Sequence, residues 1–311
     1  MGSDSETASL KIPIIDFTNS GSDTTPDQVR HALEEYGCFV AAYDRVPAQL
    51  VDKVMAQSKD LFDLPTETKL SHTGDDVLRG YIGPSPRLPY SETFAISHAT
   101  SFQDVQNFMN LVWPAGKDNF CETTHSYVKL IEELGERVMR LLFESYGVAA
   151  KHYESFAAFN DHIFRLIKYR EMKDIDITGT SVWFPSHTDA SFISILFQHQ
   201  IGGLEIESKD GTFVGIDASP CHFIVFAGDM LQIRWIKEDQ MTEIKNGVWI
   251  TPKMKKTNAT LTTFVISHLY NLSNKSTDNT PQMKKTNATL TTFVISHLYN
   301  LSNKNTAHQH M

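Results

Sequence analysis

SVWFPSHTDASFISILF, residues 181 to 197, sets a histidine and an aspartate one residue apart at the mouth of an apolar run. In an extended segment side chains two apart project to one face, so His187 and Asp189 can meet at a single metal ion. A neutral imidazole and a carboxylate, joined by a second histidine, make the facial ligand set of a non-haem Fe(II) centre, with the remaining positions open to cosubstrate and O₂. The pair alone carries little weight, because a chain of this composition supplies roughly one H-x-D by chance. His152-Tyr-Glu154 is a similar pair on a predicted helix and reads as a solvated surface feature. Context has to decide.

Outward from the motif, the second half is built of short apolar runs: IFRLIKY (163–169), FISILF (192–197), GLEIE (203–207), HFIVFA (222–227) and ATLTTFVISHLY (259–270). Gly, Pro, Asp and Ser separate them, the texture of an antiparallel sandwich or barrel. The first half reads as helical. TTPDQVRHALEEYG predicts a helix with Thr25 as N-cap, Pro26 in the first turn and Gly37 as stop. Val29, Ala32, Leu33 and Tyr36 fall on one face of it. A short strand, CFVAAY, follows; further helices are predicted over about 47–62 and 120–146, while 71–117 reads mostly as loop. The fold class is therefore α+β, helices buttressing a β core.

The 311 residues carry a net charge of −9 and a pI near 5.8, with no basic stripe, so a nucleic-acid partner is not expected. No apolar run is long enough for a membrane span, and the N-terminus lacks the basic start and apolar core of a signal peptide. Cys38, Cys121 and Cys221 are odd in number and far apart, which fits reduced thiols. A cytoplasmic monomer acting on a small molecule is the expectation.

IPIIDF, ALEEYGCF, LFDLPTETK, LVWPAG, RLIKY, SHTDASFISIL, GGLEIESKDGTFVGI and FIVFAGDMLQ, in this order over about residues 10 to 232, resemble the plant 2-oxoglutarate/Fe(II)-dependent dioxygenases. The resemblance is strongest to the AOP-type branch related to glucosinolate side-chain enzymes. It implies a double-stranded β-helix (jelly-roll) core with a helical N-terminal region, Fe(II), 2-oxoglutarate as cosubstrate and ascorbate as reductant. It also implies hydroxylation or desaturation of a small specialised metabolite. His187 and Asp189 become the first two metal ligands. An Asn-Tyr-Tyr stretch that helps to hold the cosubstrate in relatives falls on Lys168, Tyr169 and Arg170. Gly228-Asp229 matches a structural G-D turn. The resemblance divides the chain into an N-terminal helical region (10–117), a long helix and connection (118–160) and a barrel (161–270).

Two departures stand out. The family's second metal histidine follows an N-G turn, but after Asn246-Gly247 comes VWITPKMKKTNATL, and no histidine lies between His222 and His268. The third ligand is thus not identified, and His268 is a weak candidate, because it follows the strand on which the family's motif falls. The family's Arg-x-Ser, which clasps the distal carboxylate of 2-oxoglutarate, falls on Asn258 and Thr260; Thr260 keeps a hydroxyl for the cosubstrate, Asn258 no charge. The tail is also unusual. Residues 252–275 recur as 281–304 with Lys253 against Gln282 the one difference, followed by a polar tail, 305–311. Two near-identical copies in a non-repetitive chain read as a recent duplication or a gene-model error. The barrel is accordingly expected to be incomplete. The rival expectation is a catalytically inactive relative, a pseudoenzyme or truncated product that keeps a small-molecule-binding barrel.

Overall fold

Thr25 accepts a hydrogen bond from the Gln28 amide, and the Gln28 side chain accepts one from the Thr25 amide, at 3.2 and 2.8 Å. This reciprocal cap starts α1 (Pro26–Tyr36), and Gly37, at φ 65°, ends it by donating to the Leu33 carbonyl. In a computed structural model of the chain, the described residues are 11–18, 24–72, 80–86, 88–158, 160–169, 187–189, 191–208, 211–232, 235–237, 240–242, 249–251 and 260–267. The chain divides into a unit ending at Ser267 and a second, His268–Met311; all described residues belong to the first.

α1 links β1 (Ile14–Asp16) to β2 (Cys38–Ala42), which run parallel as such a crossover requires. Then come α2 (Ala48–Phe62), α3 (Thr66–Leu70), β3 (Gly80–Ile82), β4 (Ser91–Ser97), α4 (Phe102–Val112), α5 (Phe120–Ser145) and α6 (Ala150–Ala157). The strand-rich half contains β5 (Asp161–Tyr169), β6 (Ile193–Gln198), β7 (Leu204–Glu207), β8 (Phe213–Ile216), β9 (His222–Ala227), β10 (Trp235–Lys237), β11 (Gln240–Thr242), β12 (Trp249–Thr251) and β13 (Thr260–Ser267). The stretch 71–117 is thus not loop alone: its described residues supply β3, β4 and α4. β4 is a strand because it pairs along its whole length with β5, a partner far away in sequence. α4 is started by Ser101, whose hydroxyl accepts from the Asp104 amide.

One sheet has the order β1-β2-β9-β6-β13-β5-β4-β3, and a second has β12-β7-β8. β1 to β4, from the N-terminal half, extend both edges of the larger sheet, so that half is not a separate helical layer. One face of the larger sheet, with Phe164, Leu166, Ile193, Ile195, Phe223 and Val225, packs against α1, α2, α4, α5 and α6. The other face meets the smaller sheet through Tyr169, Leu196, Leu204, Ile206, Ile216, Ile224 and Phe226. The buried Gln198 amide ties the sheets together, donating to the Ile216 carbonyl and accepting from the Leu204 amide at 3.0 and 3.1 Å. The apolar alternation of each strand therefore separates a helix-covered face from an inter-sheet face.

Candidate metal centre

The H-x-D motif is not in a regular strand. His187 makes a single-residue bridge, Thr188 and Asp189 are irregular, and β6 begins only at Ile193. The two side chains still converge, with His187 Nε2 3.5 Å from Asp189 Oδ1. What brings them together is the turn after β9. The amides of Gly228, Asp229 and Met230 donate to the carbonyls of Phe192, Asp189 and Ser191 at 2.9, 2.8 and 3.0 Å. A Cβ on Gly228 would lie 2.1 Å from the Ser191 carbonyl oxygen, so only glycine lets the two backbones approach this closely. The G-D turn is the clamp on the H-x-D loop.

Electrostatics at the site favour a charged Asp189. Burial opposes its ionisation, but hydrogen bonding and charge from His187, the Ser194 hydroxyl and the Arg165 guanidinium outweigh it and hold the carboxyl below its ordinary value. Asp229 differs. Burial and the neighbouring Asp189 charge raise its pKa, against the Thr188 hydrogen bond and His187. Thr188 Oγ1 donates to Asp229 Oδ2 at 2.8 Å, which draws that carboxylate to the threonine beside the pair. His187 and Asp189 are partly exposed, 35% and 20% at the side chain, so an ion has access to both. One imidazole and one ionised carboxylate fit two of the ligands of a non-haem iron centre. Among the described residues no group of three His, Cys, Asp or Glu side chains is disposed to hold a metal. His268, the weak third candidate, and Asn258 lie outside the described residues.

Of the expected cosubstrate contacts, Tyr169 is fully buried in the inter-sheet cluster, and burial pushes its phenol up, so it stays protonated and able to donate. Lys168 faces the other way: its ammonium lies 3.5 Å from Asp63 and over the Phe62 ring. Arg170 is outside the described residues. Thr260 opens β13 in register with Lys168. His152 and Glu154 lie exposed on α6, where Glu154 binds Arg140, as a surface pair should. Sequence reading passed over Ser194 and Arg165, both on the inter-sheet side of their strands. A polar residue at an inward position of an alternating strand was the signal available.

Residues 12–116 match the family described as non-haem dioxygenase in morphine synthesis, N-terminal, and residues 160–265 match the 2OG-Fe(II) oxygenase superfamily. An Arabidopsis thaliana protein named "Probable 2-oxoglutarate-dependent dioxygenase AOP1" is 32% identical over 72% of this chain and 75% of its own length. Another from the same plant, "Probable inactive 2-oxoglutarate-dependent dioxygenase AOP2", is 25% identical over 72% and 77%. Among solved structures, dioxygenase for auxin oxidation 1 from Arabidopsis thaliana with 2-oxoglutarate superimposes with a TM-score of 0.71 at 26% identity, covering 88% of this chain and 97% of that one. The rice dioxygenase for auxin oxidation gives 0.64 at 25% identity, covering 83% of each. With both halves matched in order and the H-x-D loop clamped by the turn after β9, the chain belongs to the 2-oxoglutarate/Fe(II)-dependent dioxygenase family, with AOP proteins among its relatives.

Proposed function

We propose that the chain is a 2-oxoglutarate- and Fe(II)-dependent oxygenase that hydroxylates or desaturates a small specialised metabolite. The convergence of His187 and Asp189, partly exposed and clamped by the turn after β9, carries this reading. The strand orders β9-β6-β13-β5 in one sheet and β12-β7-β8 in the other support a double-stranded β-helix core. His187 and Asp189 hold the iron, and Tyr169 lines the interior where the cosubstrate enters. Bound there, Fe(II) supplies the O₂ and electron-transfer chemistry that couples decarboxylation of 2-oxoglutarate to oxidation of the metabolite. The protein's part is to keep Asp189 ionised, to orient His187 beside it through the Gly228 clamp, and to exclude water with the apolar inter-sheet cluster.

Asn258 and the missing histidine support a second reading, a catalytically inactive relative that retains a small-molecule-binding barrel. A neutral amide cannot replace a guanidinium on a carboxylate, and removing one partner of a buried charge pair costs about 3–5 kcal/mol. Succinate release with Fe(II), 2-oxoglutarate, ascorbate and a panel of plant small molecules separates the two. Steady turnover establishes the oxygenase; Fe(II) and ligand binding without succinate establishes the inactive barrel. No helix among the described residues is long and apolar enough to cross a membrane.

A further inference from the structure

We propose that Asp229 is a positioning residue for the metal pair, acting through the hydroxyl of Thr188, the residue between the two ligands. The inference rests on the metal-centre reading above and names the device that aims its ligands. Its first support is geometric. Thr188 Oγ1 donates to Asp229 Oδ2 at 2.8 Å, and the Asp229 amide donates to the Asp189 carbonyl at 2.8 Å. One residue therefore holds the Thr188-Asp189 dipeptide at two points, by its side chain and by its backbone. A single bond would leave this irregular segment free to roll about its own length; the second contact stops the roll. With Thr188 tied to Asp229, the side chains before and after it converge, His187 Nε2 3.5 Å from Asp189 Oδ1.

The second support is that Asp229 is the fixed partner. It opens a single 3₁₀ turn, Asp229–Gln232, in which the Leu231 amide donates to the Gly228 carbonyl at 3.0 Å. Leu231 is 1% exposed and belongs to the helix-side core. The turn is thus rooted in packed apolar structure. On the other side, the ladders that β6 makes with β13 and β9 begin at Ile193, beyond Asp189. The dipeptide takes its direction from the turn rather than from those ladders.

The third support is the choice of side chain. Threonine is β-branched and stiff at χ1, so holding its hydroxyl also fixes its backbone. A metal centre is sensitive to this, because ligands have to be kept within about 0.5 Å and about 10–20° of their working directions. The same bond keeps the Asp229 carboxylate on the threonine rather than on the ion. Among the described residues no three His, Cys, Asp or Glu side chains are disposed to hold a metal, which agrees with Asp229 standing behind the pair and not in it.

The test uses the full chain and Co(II), whose visible absorption reports the arrangement of its ligands. Thr188→Val keeps the shape and removes the donor; Asp229→Ala removes the acceptor and keeps the amide. Each should weaken Co(II) binding by about 10- to 100-fold and alter the Co(II) spectrum. Thr188→Ser, which restores the hydroxyl, should recover most of the affinity and the original spectrum. The double variant should bind no more weakly than the weaker single one, because both changes break the same bond. Unchanged Co(II) affinity and spectrum in Thr188→Val and Asp229→Ala overturn the proposal, even where urea stability falls, since the bond is then merely structural. Losses that multiply in the double variant overturn it as well. So does tighter binding by Thr188→Val, which would make the released Asp229 a ligand. Should Asp229→Ala not fold, Thr188→Val against Thr188→Ser decides, and equal affinities overturn the proposal. The metal-centre reading fails on a different result, absence of Co(II) and Fe(II) binding by the unaltered chain, and the proposal falls with it.

Discussion

Replacing Gly228 by alanine places a methyl group 2.1 Å from the Ser191 carbonyl oxygen, 2.5 Å from its hydroxyl and 2.7 Å from its carbonyl carbon. Two of the three obstacles are backbone atoms, so no rotamer change relieves the contact; the 189–192 loop or the turn has to move. Such a shift breaks or lengthens the three amide-to-carbonyl bonds made by Gly228, Asp229 and Met230. At about 0.5–1.5 kcal/mol each, their loss amounts to roughly 2–4 kcal/mol. For a protein of this size that lowers Tm by about 3–6 °C. The second consequence is specific to the site: Asp189 loses the backbone bond that fixes it beside His187, so metal affinity drops by at least about tenfold. Urea denaturation and Co(II) titration of Gly228→Ala measure the two effects. Gly215→Ala is the control, because a Cβ there meets nothing within 4 Å. A Gly228→Ala protein within about 0.5 kcal/mol of the unaltered chain, with unchanged Co(II) affinity, would refute the clamp.

Three further outcomes follow from the geometry. His187→Ala and Asp189→Ala should each abolish Fe(II) binding, and His187→Ala should leave the melting temperature nearly unchanged, since its side chain is partly exposed; an unaltered Fe(II) isotherm in either would move the centre elsewhere. Lys69 and Glu92, almost fully buried, pair at 2.5 Å, while Lys69 also donates to the Phe62 carbonyl and Tyr81 to Glu92. Lys69→Met should cost about 3–5 kcal/mol in urea denaturation, and Lys69→Met with Glu92→Leu much less, because the single change strands a buried carboxylate; equal losses would exclude that cause. Burial lowers the His162 pKa against the pull of Glu132 and Asp161, with Lys129 and His98 also opposing its charge. The unfolded chain therefore takes up a proton near 6.5 before the folded one, so this contribution to stability is complete above 6.5 and is lost as pH falls below it. His162→Gln should lose less stability than the unaltered chain between pH 7.5 and 5.5, and an equal loss would rule out His162 as the source.

Where structure is decided locally, the sequence was a good guide. Thr25, Pro26, Gln28 and Gly37 carry the whole start and stop chemistry of α1, and the long apolar stripe of α5 from Tyr127 to Leu142 has no strand alternative. β4 was invisible because SETFAIS acquires its conformation from β5, and nothing within seven residues encodes that partner. The H-x-D motif was legible as chemistry and misleading as geometry. Strand parity suggested that His187 and Asp189 share a face, whereas Asp189 is held by a turn forty residues later that grips the segment from Asp189 to Phe192. Arg165 was hidden for the opposite reason: in IFRLIKY the apolar pattern defines the strand so well that the one inward charge passes as an interruption.

The placement of β13 has a consequence for how the chain reaches its native state. It is the last described strand in sequence, yet it pairs with β5 on one side and β6 on the other, at the middle of the larger sheet. Until residues 260–267 have emerged from the ribosome, β5 and β6 each present a bare row of amides and carbonyls to solvent or to another nascent chain. Pairings of high sequence separation form slowly, so the polypeptide spends its riskiest interval nearly complete but not yet closed. Chaperone dependence and yield on expression should therefore be more sensitive to substitutions in β13 than to equally severe ones in α1.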